Sequence, residues 1–143
     1  MTMNNSVKRY LALALCAVII ACTFASCASG STKSVNVTII DEISVSENGR
    51  NKIDLSATVK VHEKTNAGEC FRNLCNTSGV LVEGIDKGFV QNIGGVKNSG
   101  NYAWMFFING ELSADAGISD YIPKDGDSIS FMYVDYTMLF PAE

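Results

Sequence analysis

Trp104–Tyr133 reads W-M-F-F-I-N-G-E-L-S-A-D-A-G-I-S-D-Y-I-P-K-D-G-D-S-I-S-F-M-Y, and its order of elements decides the fold. Trp104, Phe106 and Ile108 alternate with Met105 and Phe107, so both faces of this strand are apolar and both call for cover. Asn109-Gly110 supplies the two residues with φ > 0 that a type I′ turn needs. Pro123 sets φ for a further turn, and Asp125-Gly126-Asp127 reverses the chain into a last strand over Ser128–Tyr136.

Upstream, Val35, Val37 and Ile39 alternate with polar residues, as do Ile53, Leu55, Ala57, Val59 and Val61. Glu47-Asn48-Gly49-Arg50 between them predicts a hairpin turn. Thr65-Asn66 caps a helix over Ala67–Asn76, in which Cys70, Phe71, Leu74 and Cys75 form one stripe. Two short strands near Val80–Glu83 and Phe89–Ile93 precede the Trp104 strand. Gly94–Asn101 lacks periodicity and reads as a mobile loop bordering that strand. Hairpin, helix and further strands, in that order, predict an α+β domain of β-grasp (ubiquitin-like) type, a mixed sheet with one helix packed across it.

The N-terminus reads as a processing signal. Lys8 and Arg9 precede an apolar run from Leu11, and Phe24-Ala25-Ser26-Cys27 resembles a bacterial lipobox whose cysteine becomes the lipidated first residue. Ile19-Ile20-Ala21-Cys22 competes, and an uncleaved membrane anchor is the other reading. Cys27 is favoured because Ala28-Ser29-Gly30-Ser31 after it makes a flexible tether. The expected organisation is a signal peptide over 1–27, a tether over 28–34 and a domain over 35–143, lipid-anchored on the extracytoplasmic side of the membrane. Loss of Lys8 and Arg9 lowers the basic count from 11 to 9 against 15 acidic residues, a net charge of −6. Such a domain offers no cluster for phosphate neutralisation, which excludes a nucleic-acid partner.

Little in the chain reads as chemistry. His62 is the only histidine and ends a strand. No nucleophile elbow, phosphate loop or clustered metal ligands occur, so neither a catalytic nor a metal site is expected. Asp125 and Asp127 read as turn residues. Of the five cysteines, Cys70 and Cys75 alone fall in the expected domain. Five residues apart on a helix, their Cα atoms would lie about 8.5 Å apart, beyond disulfide reach, so they read as buried thiols. The aromatic residues around Trp104 read mostly as core, with Trp104 also open to a ligand-facing role, and Leu112 just past the tight turn is a candidate contact.

Trp104, Gly117-Ile118-Ser119-Asp120-Tyr121, Pro123-Lys124-Asp125-Gly126-Asp127 and the alternation of Ile129, Phe131 and Tyr133 together resemble a known family. It is the C-terminal domain of the vitamin B12 carriers transcobalamin and intrinsic factor, with the related transcobalamin-like (DUF4430) domains of bacterial surface proteins. The resemblance implies the β-grasp fold. It also implies a binding lipoprotein that captures cobalamin or another corrinoid for a nearby vitamin transporter, with no cofactor of its own. Contacts would come from Tyr102, Trp104 and Phe106 on the strand and from Leu112 and Ile118 on the segment after it. The carriers complete their site with a large helical domain that this chain lacks, so a second binding domain would be needed for tight binding. The competing expectation is a cell-surface protein-interaction or adhesion module without a small-molecule ligand.

Overall fold

The computed structural model describes residues 30–43 and 53–140. The chain divides into Met1–Gly30 and Ser31–Glu143, and every described strand and helix belongs to the second unit. The leader, Cys22, Cys27 and the Glu47–Arg50 turn lie outside the described residues.

Strands β1 (Thr32–Asp41) and β2 (Asp54–His62) run antiparallel, with Val37 opposite Ala57. Helix α1 (Ala67–Ser78) follows, two residues longer than the expected Ala67–Asn76. Asn66 caps it by accepting the Glu69 N–H at 2.9 Å, and Gly79, at φ 68°, ends it in the left-handed conformation. Cys70, Phe71, Leu74 and Cys75 are buried on one stripe, and both thiols are free. Burial pushes the Cys75 thiol up to about 11 and raises Cys70 as well, so neither is a nucleophile at neutral pH.

After α1 come β3 (Val82–Glu83), a 3-10 turn at Ile85–Lys87, β4 (Asn92–Ile93) and β5 (Val96–Lys97), then β6 (Tyr102–Ile108), β7 (Glu111–Leu112) and β8 (Ser128–Asp135). The main sheet has the order β2-β1-β8-β6-β7. β8 lies parallel to β1 and antiparallel to β6. The domain is therefore α+β, a mixed sheet with one helix packed on it, and the connectivity is compatible with the β-grasp expectation. Phe71 is the meeting point of helix and sheet: its ring centroid lies 4.5 Å from that of Phe131 and 6.0 Å from that of Phe106. Burying a side chain of this size stabilises the domain by roughly 1.5–3 kcal/mol. Asn109 and Gly110, at φ 51° and 86°, make the I′ turn between β6 and β7.

Three expectations are modified. Ile53 and Val61 are buried beside and within β2, whereas Leu55 and Val59 are half-buried against the core and Ala57 is exposed, so the inward alternation of β2 is only partly filled. On β6 only Trp104, Phe106 and Ile108 face the helix side. On its other face Ala103 and Phe107 are buried as well and Met105 is half-buried, so this strand is covered on both faces as expected. The expected strands at Val80–Glu83 and Phe89–Ile93 shrink to two residues each, because Gly84 turns the chain between them at φ 93°. A Cβ there would fall 2.1 Å from the Phe89 carbonyl oxygen, so only glycine fits. Gly94–Asn101 is not an irregular loop: Gly94-Gly95 turns β4 into β5, and Ser99 bridges to Tyr102. No helix among the described residues is long and apolar enough to cross a membrane.

Candidate binding cleft

β6 has one edge paired with β8 throughout and the other paired with β7 only at Phe107 and Ile108. The even-numbered residues turn their N–H and C=O to that second edge, as the 2.9 Å bond from Ser113 N–H to Phe106 O shows. Asn98 Oδ1 accepts the Trp104 N–H at 2.9 Å, and Tyr102 exchanges bonds with Ser99. Between these anchors the Trp104 carbonyl and the Phe106 N–H make no hydrogen bond among the described residues.

A cleft of about 180 Å³ opens beside this gap, lined among others by Phe89, Trp104, Phe106, Gly117 and Ile118. Trp104 is 3% exposed and belongs to the core as well as to the cleft. Its indole N–H donates to Val96 O at 2.8 Å, which ties the small sheet β3-β4-β5 to β6. Phe89, 59% exposed, stands at the mouth. It also lines a polar depression shared with Glu83, Gln91, Asn92 and Lys97. Glu83, Asn92 and Lys97 lie directly across β3, β4 and β5 from one another, and the buried Asn92 Oδ1 has no hydrogen-bond partner.

The far wall is built by the Gly117–Tyr121 corner. Asp120 and Tyr121 N–H both return to Gly117 O, at 3.1 and 3.0 Å. The first turn of α1 then donates to the same corner, Gly68 N–H to Ile118 O at 2.9 Å and Ala67 N–H to Tyr121 O at 2.8 Å. Tyr121 packs edge-on against Phe106, and its hydroxyl donates to Asp127 Oδ2 at 2.6 Å. Asp127 also accepts from Lys124 N–H and from Asn109 Nδ2. Burial opposes the Asp127 charge, but these three hydrogen bonds hold its carboxyl below the usual range. Burial, and next the hydrogen bond to Asp127, push the Tyr121 hydroxyl up to about 12. Asp125 accepts Ser34 N–H at 2.7 Å. Both aspartates are thus turn residues, as expected. No cluster of three potential metal ligands occurs among the described residues.

Of the sequence-selected contacts, Trp104, Phe106 and Ile118 meet at the cleft. Tyr102 and Leu112 do not. Tyr102 lines a separate hollow of about 500 Å³ with Glu42, Ile43, Val134 and Met138. Leu112 is opposite Phe107, which puts it on the face of the sheet turned away from Trp104 and Phe106. Phe89 was missed as a contact because it reads as the start of a buried strand, although Gly88 before it signals a turn.

A family model described as "Domain of unknown function (DUF4430)" matches residues 55–135, more than half of the chain. Among solved structures, haptocorrin in complex with Cbi superposes with a TM-score of 0.57 at 17% identity, over 75% of this chain and 26% of that one. This likeness is one of fold, and the chain spans about a quarter of haptocorrin's length. The Haloferax volcanii HVO 2177 protein superposes with a TM-score of 0.40 at 15% identity, over 71% of this chain and 83% of that one. No curated protein matches the chain in sequence.

Proposed function

The chain belongs to the DUF4430 family, and from that premise we propose that it is a non-enzymatic binding lipoprotein whose ligand sits in the cleft at the open edge of β6. In this reading a signal peptide is cut before a lipidated Cys27, the few residues from there to Ser31 tether the domain, and the domain, whose first strand opens at Thr32, binds outside the membrane. The ligand class is a corrinoid, cobalamin or a relative, handed to a vitamin transporter. One observation supports this most: an apolar floor of Trp104, Phe106 and Ile118 beside an unfilled backbone donor and acceptor, with a polar depression adjoining at Phe89. A broad ring with an apolar face and an amide fringe matches that combination. The Cbi complex of haptocorrin, of similar fold, agrees with it.

The cleft is smaller than the roughly 300–1,000 Å³ that encloses a small molecule. The domain alone therefore supplies half a site, with affinity near the micromolar range or weaker, about −8 kcal/mol at best, and a second binding domain completes it. Trp104 is the only tryptophan, so its fluorescence reports on the cleft directly. Titration of the lipoprotein with cobalamin, by Trp104 quenching and calorimetry, tests the reading. Phe89→Ala should weaken quenching. No binding at millimolar ligand, together with corrinoid uptake by cells that ignores Phe89→Ala and Ile118→Ala, would replace this reading by the surface-interaction module. Leu81 and Met138, exposed at 81% and 82%, favour that second reading.

A further inference from the structure

The small sheet β3-β4-β5 turns one row of side chains inward and one outward. Val82, Ile93 and Val96 form the row that packs on the core, with Ile93 fully buried. Glu83, Asn92 and Lys97 form the next row, on the opposite face, with Glu83 across from Asn92 and Asn92 across from Lys97. Together with Phe89, Gln91 and Asn98 they line a depression of about 350 Å³. Asn98 is used up by the architecture: its Oδ1 accepts the Trp104 N–H and its Nδ2 donates to Val90 O at 3.0 Å. The outward row is not. Glu83 and Lys97 are exposed, lie two strand spacings or roughly 10 Å apart, and form no ion pair with each other. Between them the buried Asn92 Oδ1 accepts no hydrogen bond among the described residues. A buried acceptor without a donor is destabilising, and a donor brought by a ligand relieves it.

The geometry points to a subsite for a primary carboxamide along this row, which selects one peripheral amide of a corrinoid against the corresponding acid. For the body of the ligand this rests on the cleft reading above. The hydrogen-bonding groups match in number. A primary carboxamide carries two N–H donors and one carbonyl acceptor. The row offers two acceptors, Asn92 Oδ1 and the Glu83 carboxylate, and in Lys97 Nζ a donor on a long flexible stem. With its nitrogen between Glu83 and Asn92 and its oxygen towards Lys97, the group engages all three. A carboxylic acid, ionised at neutral pH, does not: it brings no N–H to Asn92 and sets its charge against Glu83, keeping only Lys97. Glu83 and Lys97 are exposed and unpaired, so moving either off Asn92 strips no hydrogen bond. Phe89 joins the subsite to the cleft, because it lines both, and a ligand lying along its ring reaches the two together.

The test uses the full-length lipoprotein and cobalamin derivatives in which one peripheral carboxamide at a time is hydrolysed to the acid, read by calorimetry and Trp104 quenching. One of these acids should bind at least about tenfold more weakly than cobalamin, while those altered elsewhere bind within about twofold of it. For that acid, Glu83→Gln removes the opposing charge and should narrow the ratio. Lys97→Met takes away a charge-assisted bond that is stronger to the acid than to the amide, and should widen it. A merely structural role would not move the ratio in opposite directions. Asn92→Leu replaces an unpartnered amide by an apolar side chain of similar shape, so it should keep the melting temperature and weaken cobalamin binding. Acids that all bind as cobalamin does, or a ratio that Glu83→Gln and Lys97→Met shift together or not at all, would overturn the subsite and leave the cleft reading standing. Cobalamin that fails to bind at millimolar concentration would overturn both.

Discussion

The main sheet ends in two different ways. On the β2 side nine residues run as one unbroken strand paired to β1, and the outward backbone groups of Ser56, Thr58 and Lys60 meet no described residue. On the β6 side the edge is closed piecewise, by β7, by Asn98 and by the Ser99 bridge, leaving a single donor and a single acceptor above an apolar cleft. A long regular edge favours partners of the same backbone kind. A short gap framed by side chains favours a ligand of particular shape. The contrast predicts that substitutions cost much around the cleft and little along β2.

The largest effect is expected at Gly84→Ala, where the new Cβ meets the Phe89 carbonyl. A loss of about 3 kcal/mol should appear in thermal unfolding, with altered Trp104 fluorescence as the Phe89 wall shifts. Next comes Asp127→Asn, which weakens three hydrogen bonds and should cost about 1–2 kcal/mol at neutral pH. Its carboxyl is held low in the folded state, so its contribution is present above the unfolded value near 3.9 and fades as pH falls through the lower folded value. The variant should accordingly show a flatter acid unfolding profile. Tyr121 behaves in the opposite sense. With its folded value raised to about 12, its contribution is full below about pH 10 and is lost as pH rises towards 12. Tyr121→Phe should remove that alkaline slope, and an unchanged slope would mean the hydroxyl is not held by Asp127. Gly110→Val should cost on the order of 1 kcal/mol, since a β-branched residue resists φ 86°. The smallest effect is expected on β2, where Ser56→Ala should shift stability by less than about 0.5 kcal/mol. A larger loss there would show that the outer edge is already engaged.

The parts legible in the sequence were those with a periodic signal. Alternation in Val35–Ile39, the helical stripe of Cys70 to Cys75 and the Asn109-Gly110 turn each have one local cause, and each is found. The three-stranded sheet escaped because strands of two residues, such as Val82–Glu83, carry no period. Its hairpin was hidden in a glycine-rich stretch that composition alone calls a loop. The candidate site was legible where a residue shares the inward parity of Trp104, as Phe106 does. Leu112 was lost to register: its partner Phe107 lies one position from Phe106, and one position changes the face. Tyr102 has the right parity, but it lies at the strand end, past the Ser99 bridge that closes the cleft.

The two carbonyls that the Gly117–Tyr121 corner lends to the start of α1 have a mechanical meaning. Ile118 cannot swing away from the cleft without stripping Gly68 of its acceptor, and Tyr121 cannot follow without stripping Ala67. An orphaned amide at the head of a packed helix costs about 1–3 kcal/mol. This wall is therefore an anvil rather than a jaw: it keeps its shape under load, and any closing motion around a ligand must come from the facing side.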